Sequence, residues 1–304
     1  MCRFPYNESA LGSKVGSTGG RQHSSPLPMN NGSFLEFRAP GDMVLRFSAV
    51  GEPGPGEWLA RMDTALVCAS DLHTLAGRRH GPCPCILGHE TVSRLVASGP
   101  GAPECDTAGD PLSPGDRVVW GVVASCGQCA RCQAGLPQKC VDGVKYGHVA
   151  LGDHTPWFGG FAEFQRLVPG TAILKVPDSV PSRWAAMVSC STATVAAVIR
   201  VAGDVRGKRV VVNGGGNLGA QAVLWAIEAG AESVVCVEPD PNRRALLSTL
   251  GASCVAPGDR FTEAVSSADG DGDIYLELAG HVSDFSDVLK QMAIGGTIVF
   301  AGAV

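Results

Sequence analysis

The chain has 304 residues, of which 45% are apolar and 17% charged, and its formal net charge is -5. That is apolar material for sizeable cores, divided between two domains at this length, and it excludes a wholly disordered chain. Forty glycines with no Gly-x-y period exclude collagen, and the lack of any Lys/Arg block longer than two removes the electrostatic footprint of a nucleic-acid binder.

Residues 1–32 are rich in Gly, Ser, Asn and Pro, carry the single acid Glu8, and read as a disordered tail. Arg3, Lys14 and Arg21 do not share one side of an apolar helix, as an organellar leader would need. From Phe34 to Val176 short β-like runs alternate with Pro/Gly turns: Met43 to Phe47, Trp58 to Val67, Thr91 to Val96, Arg117 to Val122 and Phe161 to Leu167. After Pro181 the texture changes. A strand is predicted over Arg209 to Asn213, a helix over Leu218 to Ala229, a strand over Ser233 to Glu238 and a helix over Arg243 to Leu250, with further strands at Asp273 to Leu278 and Thr297 to Ala301. Strand-helix alternation with short loops implies a parallel sheet. No apolar run is expected to approach the 18 residues of a membrane span, and no secretory leader is visible, so a soluble, cytoplasmic protein is expected.

Twelve cysteines in a reducing compartment need a role other than disulfides. Cys126, Cys129, Cys132 and Cys140 are spaced C-x2-C-x2-C-x7-C, which fits one tetrahedral zinc with four thiolates. Such a closed site is structural: it fastens a loop too polar and Gly-rich to fold by packing. Four unrelated thiols and an iron-sulfur cluster are the alternatives, the latter without the Cys-Pro of bacterial ferredoxin runs.

The run Gly214-Gly215-Gly216-Asn217-Leu218-Gly219 follows a predicted strand and opens a predicted helix. In that setting G-x-G-x-x-G signals a dinucleotide: one Gly for the turn, one for approach of the pyrophosphate, one for helix-strand packing, with the helix N-terminus facing the anion. Glu238, nineteen residues after Gly219, is placed to hold the adenosine ribose hydroxyls and to repel a 2′-phosphate, which predicts NAD over NADP. Arg243 and Arg244 keep NADP open.

Cys68, His89 and Cys190 are each weak signals alone, since a lone Cys or His is more often core than ligand. Six motifs nevertheless occur in one order: Cys68-Ala-Ser70-Asp71-Leu-His73, Gly88-His89-Glu90, the four-cysteine run, Gly159-Gly-Phe-Ala-Glu163, Cys190, and the Gly-rich turn. Over roughly residues 33–304 the chain thereby resembles the zinc-containing medium-chain dehydrogenase/reductase family, the alcohol dehydrogenases. The resemblance implies an α/β protein with an irregular, β-rich GroES-like catalytic domain over 33–180 and a doubly wound Rossmann domain over 181–304. It implies two zinc ions per chain, the second a catalytic one held by Cys68, His89 and Cys190 with an open position. Glu90 would lie beside that metal as an exchangeable ligand and Glu163 as an alternative one. Asp71 would orient the His89 imidazole. Ser70 and His73 would carry the substrate proton outward, and Thr194 would lie beside the nicotinamide. The reaction implied is hydride transfer between an alcohol and an aldehyde or ketone.

Arg78, Arg79 and His80 lie between two ligand boxes and could clamp an anionic alcohol, and Gly77-Arg78-Arg79 resembles a family branch associated with phosphonate catabolism. Trp120, Trp157 and Phe158 are candidates for pocket walls. Family members usually continue beyond a strand like Thr297 to Gly302, so the Rossmann sheet is expected to lack its last strand, and a homo-oligomer is expected where that segment is present. The rival reading is a non-catalytic remnant holding structural zinc and nucleotide. A zinc-free quinone reductase relative is disfavoured by the ligand boxes.

Overall fold

A computed structural model describes residues 31–152, 157–260, 271–281 and 285–302. The expected disordered tail lies outside the described residues up to residue 30, whereas Gly32 already opens the first strand. The chain divides into two compact units, Met1–Ala185 and Ala186–Val304.

In the first unit the strands are β1 (Gly32–Ala39), β2 (Asp42–Ser48), β3 (Trp58–Leu66), β4 (Cys85–Ile86), β5 (Glu90–Ser98), β6 (Arg117–Trp120), β7 (Val123–Ala124), β8 (Val144–Lys145), β9 (Phe164–Leu167) and β10 (Ile173–Lys175). Three short helices interrupt them: α1 (Ala69–Leu75), α2 (Ala130–Gln133) and α3 (Ser182–Ala185). An antiparallel sheet of order β10-β6-β5-β3-β9 carries the unit, beside a β2-β1-β4 sheet and the β7-β8 hairpin. One core gathers Trp58, Leu95, Val118, Trp120, Tyr146 and Leu167; another gathers Phe34, Leu59, Ile86, Trp157 and Phe164. Trp120 and Trp157, expected as pocket walls, are thus core, with Trp157 donating its ring N–H to the Ala49 carbonyl at 3.2 Å.

The strand expected from Phe161 starts only at Phe164. Residues 159–163 are instead pressed onto the Ile86–Gly88 backbone: a Cβ on Gly159 would lie 2.1 Å from the Ile86 carbonyl oxygen. The strand expected to reach Val122 stops at Trp120. β1 and α1 were not legible. α1 starts where Asp71 Oδ2 accepts the Cys68 N–H at 3.0 Å, satisfying an orphan donor of the first turn.

The second unit continues with α4 (Ala193–Ala202), β11 (Arg209–Asn213), α5 (Asn217–Glu228), β12 (Ser233–Val237), α6 (Pro241–Thr249), β13 (Ser253–Val255), β14 (Gly272–Glu277), α7 (Phe285–Lys290) and β15 (Met292–Phe300). Among the described residues its five strands are all parallel in the order β13-β12-β11-β14-β15, the 3-2-1-4-5 order of a doubly wound nucleotide fold. Alternation along the strands feeds two cores. Val210, Val212, Val234, Cys236 and Leu276 face α4 and α5, while Val211, Val235 and Tyr275 face Val288 of α7. α6 begins two residues before its predicted start because Asp240 caps it, accepting the Asn242 N–H at 2.8 Å, and Pro241 takes the first helical position.

One expectation fails outright. Ser182–Ala202 forms a 21-residue helical run with mean hydropathy 1.6 over its most apolar window, long and apolar enough for a membrane span by length and composition. Val195, Val198 and Ala202 on it belong to the second unit's core.

Candidate functional site

In the first unit α1 and the residues leading into β5 converge. The Cys68 sulfur and a ring nitrogen of His89 lie within 4.8 Å of each other. Asp71, 3% exposed, spans three partners: Oδ2 accepts the Cys68 N–H, Oδ1 accepts the Gly88 N–H at 3.3 Å, and Oδ1 stands 3.5 Å from His89 Nδ1. Burial alone would raise its carboxyl, but His89 and the two amides outweigh that and hold it below the ordinary range. Burial likewise pulls the His89 imidazole down, yet Asp71 and Cys68 together push it up to about 9. Ser70 Oγ lies 3.5 Å from His89 Nε2, on the ring edge opposite Asp71. His73, one helical turn on, accepts a 2.9 Å hydrogen bond from Arg78 Nε at Nδ1, so Arg78 is engaged there. Glu90 is 2% exposed and opens β5 opposite Leu66. Glu163 is taken elsewhere: its carboxylate accepts the Ser33 N–H at 2.7 Å and helps clip β1 to the 159–163 segment.

The four-cysteine run forms a lobe on α2 and a 3-10 turn at Pro137–Lys139. All four sulfurs lie within 4.8 Å of one another, and those of Cys129 and Cys140 are 4.0 Å apart. A tetrahedron with arms of about 2.3 Å has edges of about 3.8 Å, so the set fits one zinc ion. Backbone N–H groups already aim at sulfur: Gln128 and Cys129 donate to Cys126 at 3.5 and 3.3 Å, and Cys126 donates to Cys140 at 3.3 Å. Donation of this kind favours the thiolate. The Gln128 and Cys129 amides lower the Cys126 thiol, and the Val141 and Cys132 amides bring Cys129 to about 6. Desolvation and the neighbouring thiols push Cys132 up to about 12, as expected of sulfurs crowded without a cation.

In the second unit the Gly-rich loop joins β11 to α5. Gly214 holds φ +98 against Ala279, and a Cβ on Gly219 would fall 1.8 Å from the Gly214 carbonyl oxygen. A Cβ on Gly216 would meet nothing within 4 Å, so the loop is bare where a pyrophosphate would rest, ahead of the N-terminus formed by Asn217 and Leu218. Glu238 is 2% exposed; its carboxylate accepts the Gly215 N–H at 2.6 Å and the Asp240 N–H at 2.9 Å. Arg244 donates to the Glu238 and Pro239 carbonyls at 2.7 and 2.8 Å, and Arg243 stands 3.9 Å from the Glu238 carboxylate. Cys190 lies in a π-helical turn, Val188–Thr192, with Thr194 following in α4.

Sequence reasoning missed two groups. His148 stands in none of the six motifs, yet its ring centroid is 5.7 Å from that of His89. Glu277, at the carboxyl end of β14, accepts the Ala279 and Gly280 N–H groups at 2.9 and 2.8 Å and one from Asn213 at 3.4 Å, tying the loop after β14 to the end of β11.

Residues 54–178 match the family model described as alcohol dehydrogenase GroES-like domain, and residues 218–304 match zinc-binding dehydrogenase. The chain is 32% identical over 222 residues to 5-exo-hydroxycamphor dehydrogenase of Pseudomonas putida, a match covering 72% of this chain and 57% of that protein. It is 31% identical over 262 residues to L-threonine 3-dehydrogenase of Pyrococcus horikoshii, covering 83% of this chain and 70% of that one. The crystal structure of an alcohol dehydrogenase from Thermotoga maritima superposes with a TM-score of 0.83 at 28% identity, over 90% of this chain and 78% of that one.

Proposed function

Because the chain belongs to the zinc-containing medium-chain dehydrogenase/reductase family, we propose that it is an NAD-linked alcohol dehydrogenase with two zinc sites. The observation that carries this reading is the setting of His89: Asp71 at Nδ1, Ser70 at Nε2, and the Cys68 sulfur within 4.8 Å of a ring nitrogen. A carboxylate there fixes the tautomer that leaves Nε2 as a metal donor. Cys68, His89 and Cys190 would hold the catalytic zinc, with Glu90 beside it, and Cys126, Cys129, Cys132 and Cys140 the structural one. When bound, zinc supplies a Lewis acid that makes a substrate hydroxyl easier to deprotonate, and the dinucleotide supplies the hydride acceptor.

The remaining roles belong to side chains. Ser70 Oγ passes the hydroxyl proton toward His73, which sits on the same face of α1, half-buried and steered by Arg78. Thr194 borders the nicotinamide. NAD is favoured because the Glu238 carboxylate sits against the Gly loop, where it accepts ribose-type donors and repels a 2′-phosphate, while Arg244 is spent on main-chain carbonyls. Arg79, half-buried beyond α1, is the remaining candidate for holding an anionic group on the substrate. A reducing, cytoplasmic setting suits the eleven cysteines among the described residues that form no disulfide.

Metal analysis joined to an alcohol panel tests the proposal. Two zinc ions per chain are expected, one of them lost in Cys68→Ser together with NAD-dependent oxidation. One zinc per chain with no hydride transfer to NAD or NADP would leave the non-catalytic remnant as the better reading.

A further inference from the structure

Three uncharged side chains run from the Gly-rich loop to the turn that carries Cys190, all within the second unit. Asn217 is the first residue of α5, directly after Gly216. One helical turn on, Gln221 donates from Nε2 to Asn217 Oδ1 at 3.0 Å. Its other amide atom, Oε1, accepts the Thr192 hydroxyl at 2.7 Å. Thr192 closes the π-helical turn Val188–Thr192, whose central residue is Cys190.

That turn is built on one carbonyl. Met187, immediately ahead of it, accepts the Cys190 N–H at 3.3 Å, the Thr192 N–H at 3.0 Å and the Ser191 hydroxyl at 3.2 Å on its backbone oxygen. The closure from Met187 to Thr192 holds one residue more than an α-helical turn. Gln221 touches both of its ends: Thr192 through Oε1, and Met187 through an Nε2 to Sδ approach of 3.9 Å. A shift of Gln221 is therefore felt by the backbone on either side of Cys190.

The relay also has a direction. Because Oε1 is taken by Thr192, Gln221 meets Asn217 with its N–H groups, and Asn217 gives its oxygen to that bond and keeps its Nδ2 hydrogens for a further acceptor. Asn217 is exposed, beside a glycine whose added Cβ would meet nothing within 4 Å. An anion resting on that bare loop completes the chain.

We infer that Gln221 is a positioning residue that links the dinucleotide loop to the Cys190 turn: a pyrophosphate held by Asn217 draws Gln221 onto Thr192 and Met187 and stiffens the backbone that presents the Cys190 sulfur. Dinucleotide and zinc then strengthen each other's binding, since coupling between two ligands is reciprocal. The inference rests on the zinc and dinucleotide reading given above.

Hydrogen exchange of the metal-free chain tests it without zinc or turnover. The Thr192 and Ala193 amides both close the turn, onto Met187 and onto Val188 and Cys190. ADP-ribose should slow their exchange by about fivefold in the wild-type chain and hardly at all in Gln221→Met, which fills similar space without an amide, while the Gly216 and Asn217 amides are slowed in both. Thr192→Ser should keep the effect and Thr192→Val lose it; should Gln221→Met fail to fold, this pair carries the same comparison. ADP-ribose and NADH should act alike, because both carry the pyrophosphate. An effect with NADH alone would place the transmission at the nicotinamide, and one that persists in Gln221→Met and Thr192→Val would route it elsewhere; either overturns the inference. In the zinc-loaded chain, chelator competition should show the Cys190 metal held about fivefold more tightly with ADP-ribose, a gain lost in Gln221→Met. An equal gain in both chains counts against the link. Slowed loop amides with an unmoved Cys190 turn defeat the inference alone, whereas loop amides that respond to neither nucleotide defeat the dinucleotide reading and the inference with it.

Discussion

Gly216 and Gly219 stand three residues apart in one loop and answer to opposite demands. A methyl on Gly219 collides with the Gly214 carbonyl, whereas one on Gly216 enters open space at a φ of -72 that any residue adopts. Gly219→Ala should therefore destabilise the second unit by about 1–3 kcal/mol, while Gly216→Ala stays within about 0.5 kcal/mol in urea unfolding. NADH fluorescence titration should show the reverse weakness, with affinity reduced severalfold in Gly216→Ala. Normal NADH affinity in that variant would mean that the pyrophosphate does not rest there. At Asp71 the expected loss is of zinc. Asp71→Asn leaves one acceptor oxygen where the Cys68 and Gly88 amides use two, and no charge for His89, and should weaken binding at the Cys68–His89 site by about 10–100-fold in chelator competition. Unchanged affinity would reduce Asp71 to a cap for α1. Both positions were legible, because short motifs fix their neighbours along the chain. His148 was not, since its meeting with His89 depends on a backbone contact between Gly88 and Gly147 that no local spacing encodes.

The four-cysteine lobe shows what an element does without a core. Neither α2 nor the 3-10 turn contributes a buried residue, and Leu136 and Val141 stay 46% and 61% exposed. Order here must come from ligation, because metal binding supplies the free energy that packing does not. Removal of zinc with a chelator should release the amides of Cys126, Gln128 and Cys129 to hydrogen exchange and loosen the β7-β8 hairpin. The amides of β11 should keep their protection, and a uniform loss across both units would argue against a local fastening. The C-x2-C-x2-C-x7-C spacing makes this lobe legible in the sequence. The run Ser182–Ala202 was harder to read, because its Ser-Cys-Ser-Thr stretch breaks the 3.6-residue period and adopts a π turn. The start of β15 at Met292 was missed for a related reason: its Gly295-Gly296 pair reads as a turn, and it lies at a register shift against β14.

Across the whole molecule, each unit carries a carboxylate held below its ordinary value of 3.8. Burial would raise Asp106, but the amides of Lys175, Asp110 and Ala108 more than compensate and fasten the loop before β6. Asp273 is lowered by Arg209, which reaches it through two side-chain contacts at 3.0 and 3.1 Å and its own amide at 2.9 Å. A depressed carboxylate gives its full stabilisation above the ordinary value and loses it as the pH falls through the folded one. Both units should therefore weaken below about pH 4. Asp106→Asn should flatten that acid loss in the first unit only, and Asp273→Asn in the second only, read by hydrogen-exchange labelling of peptides from each. An acid loss unchanged in both variants would assign it to other groups. The division into a β-rich unit and a parallel-sheet unit was legible from texture alone, since turn-punctuated short strands give way to strand-helix alternation after Pro181.

The bare seam between Gly88 and Gly147 works as the neck of a long excursion of the polypeptide that includes β5 through β8 and the cysteine lobe. Because the neck is only main chain against main chain, grafting or trimming the lobe leaves the distance between the two rings beside it unaltered. Diversification of such a protein is then channelled: the cysteine lobe is free to vary in length and charge, whereas β5 and β6 of the same excursion are bound into the sheet and the two seam glycines are held by their contact.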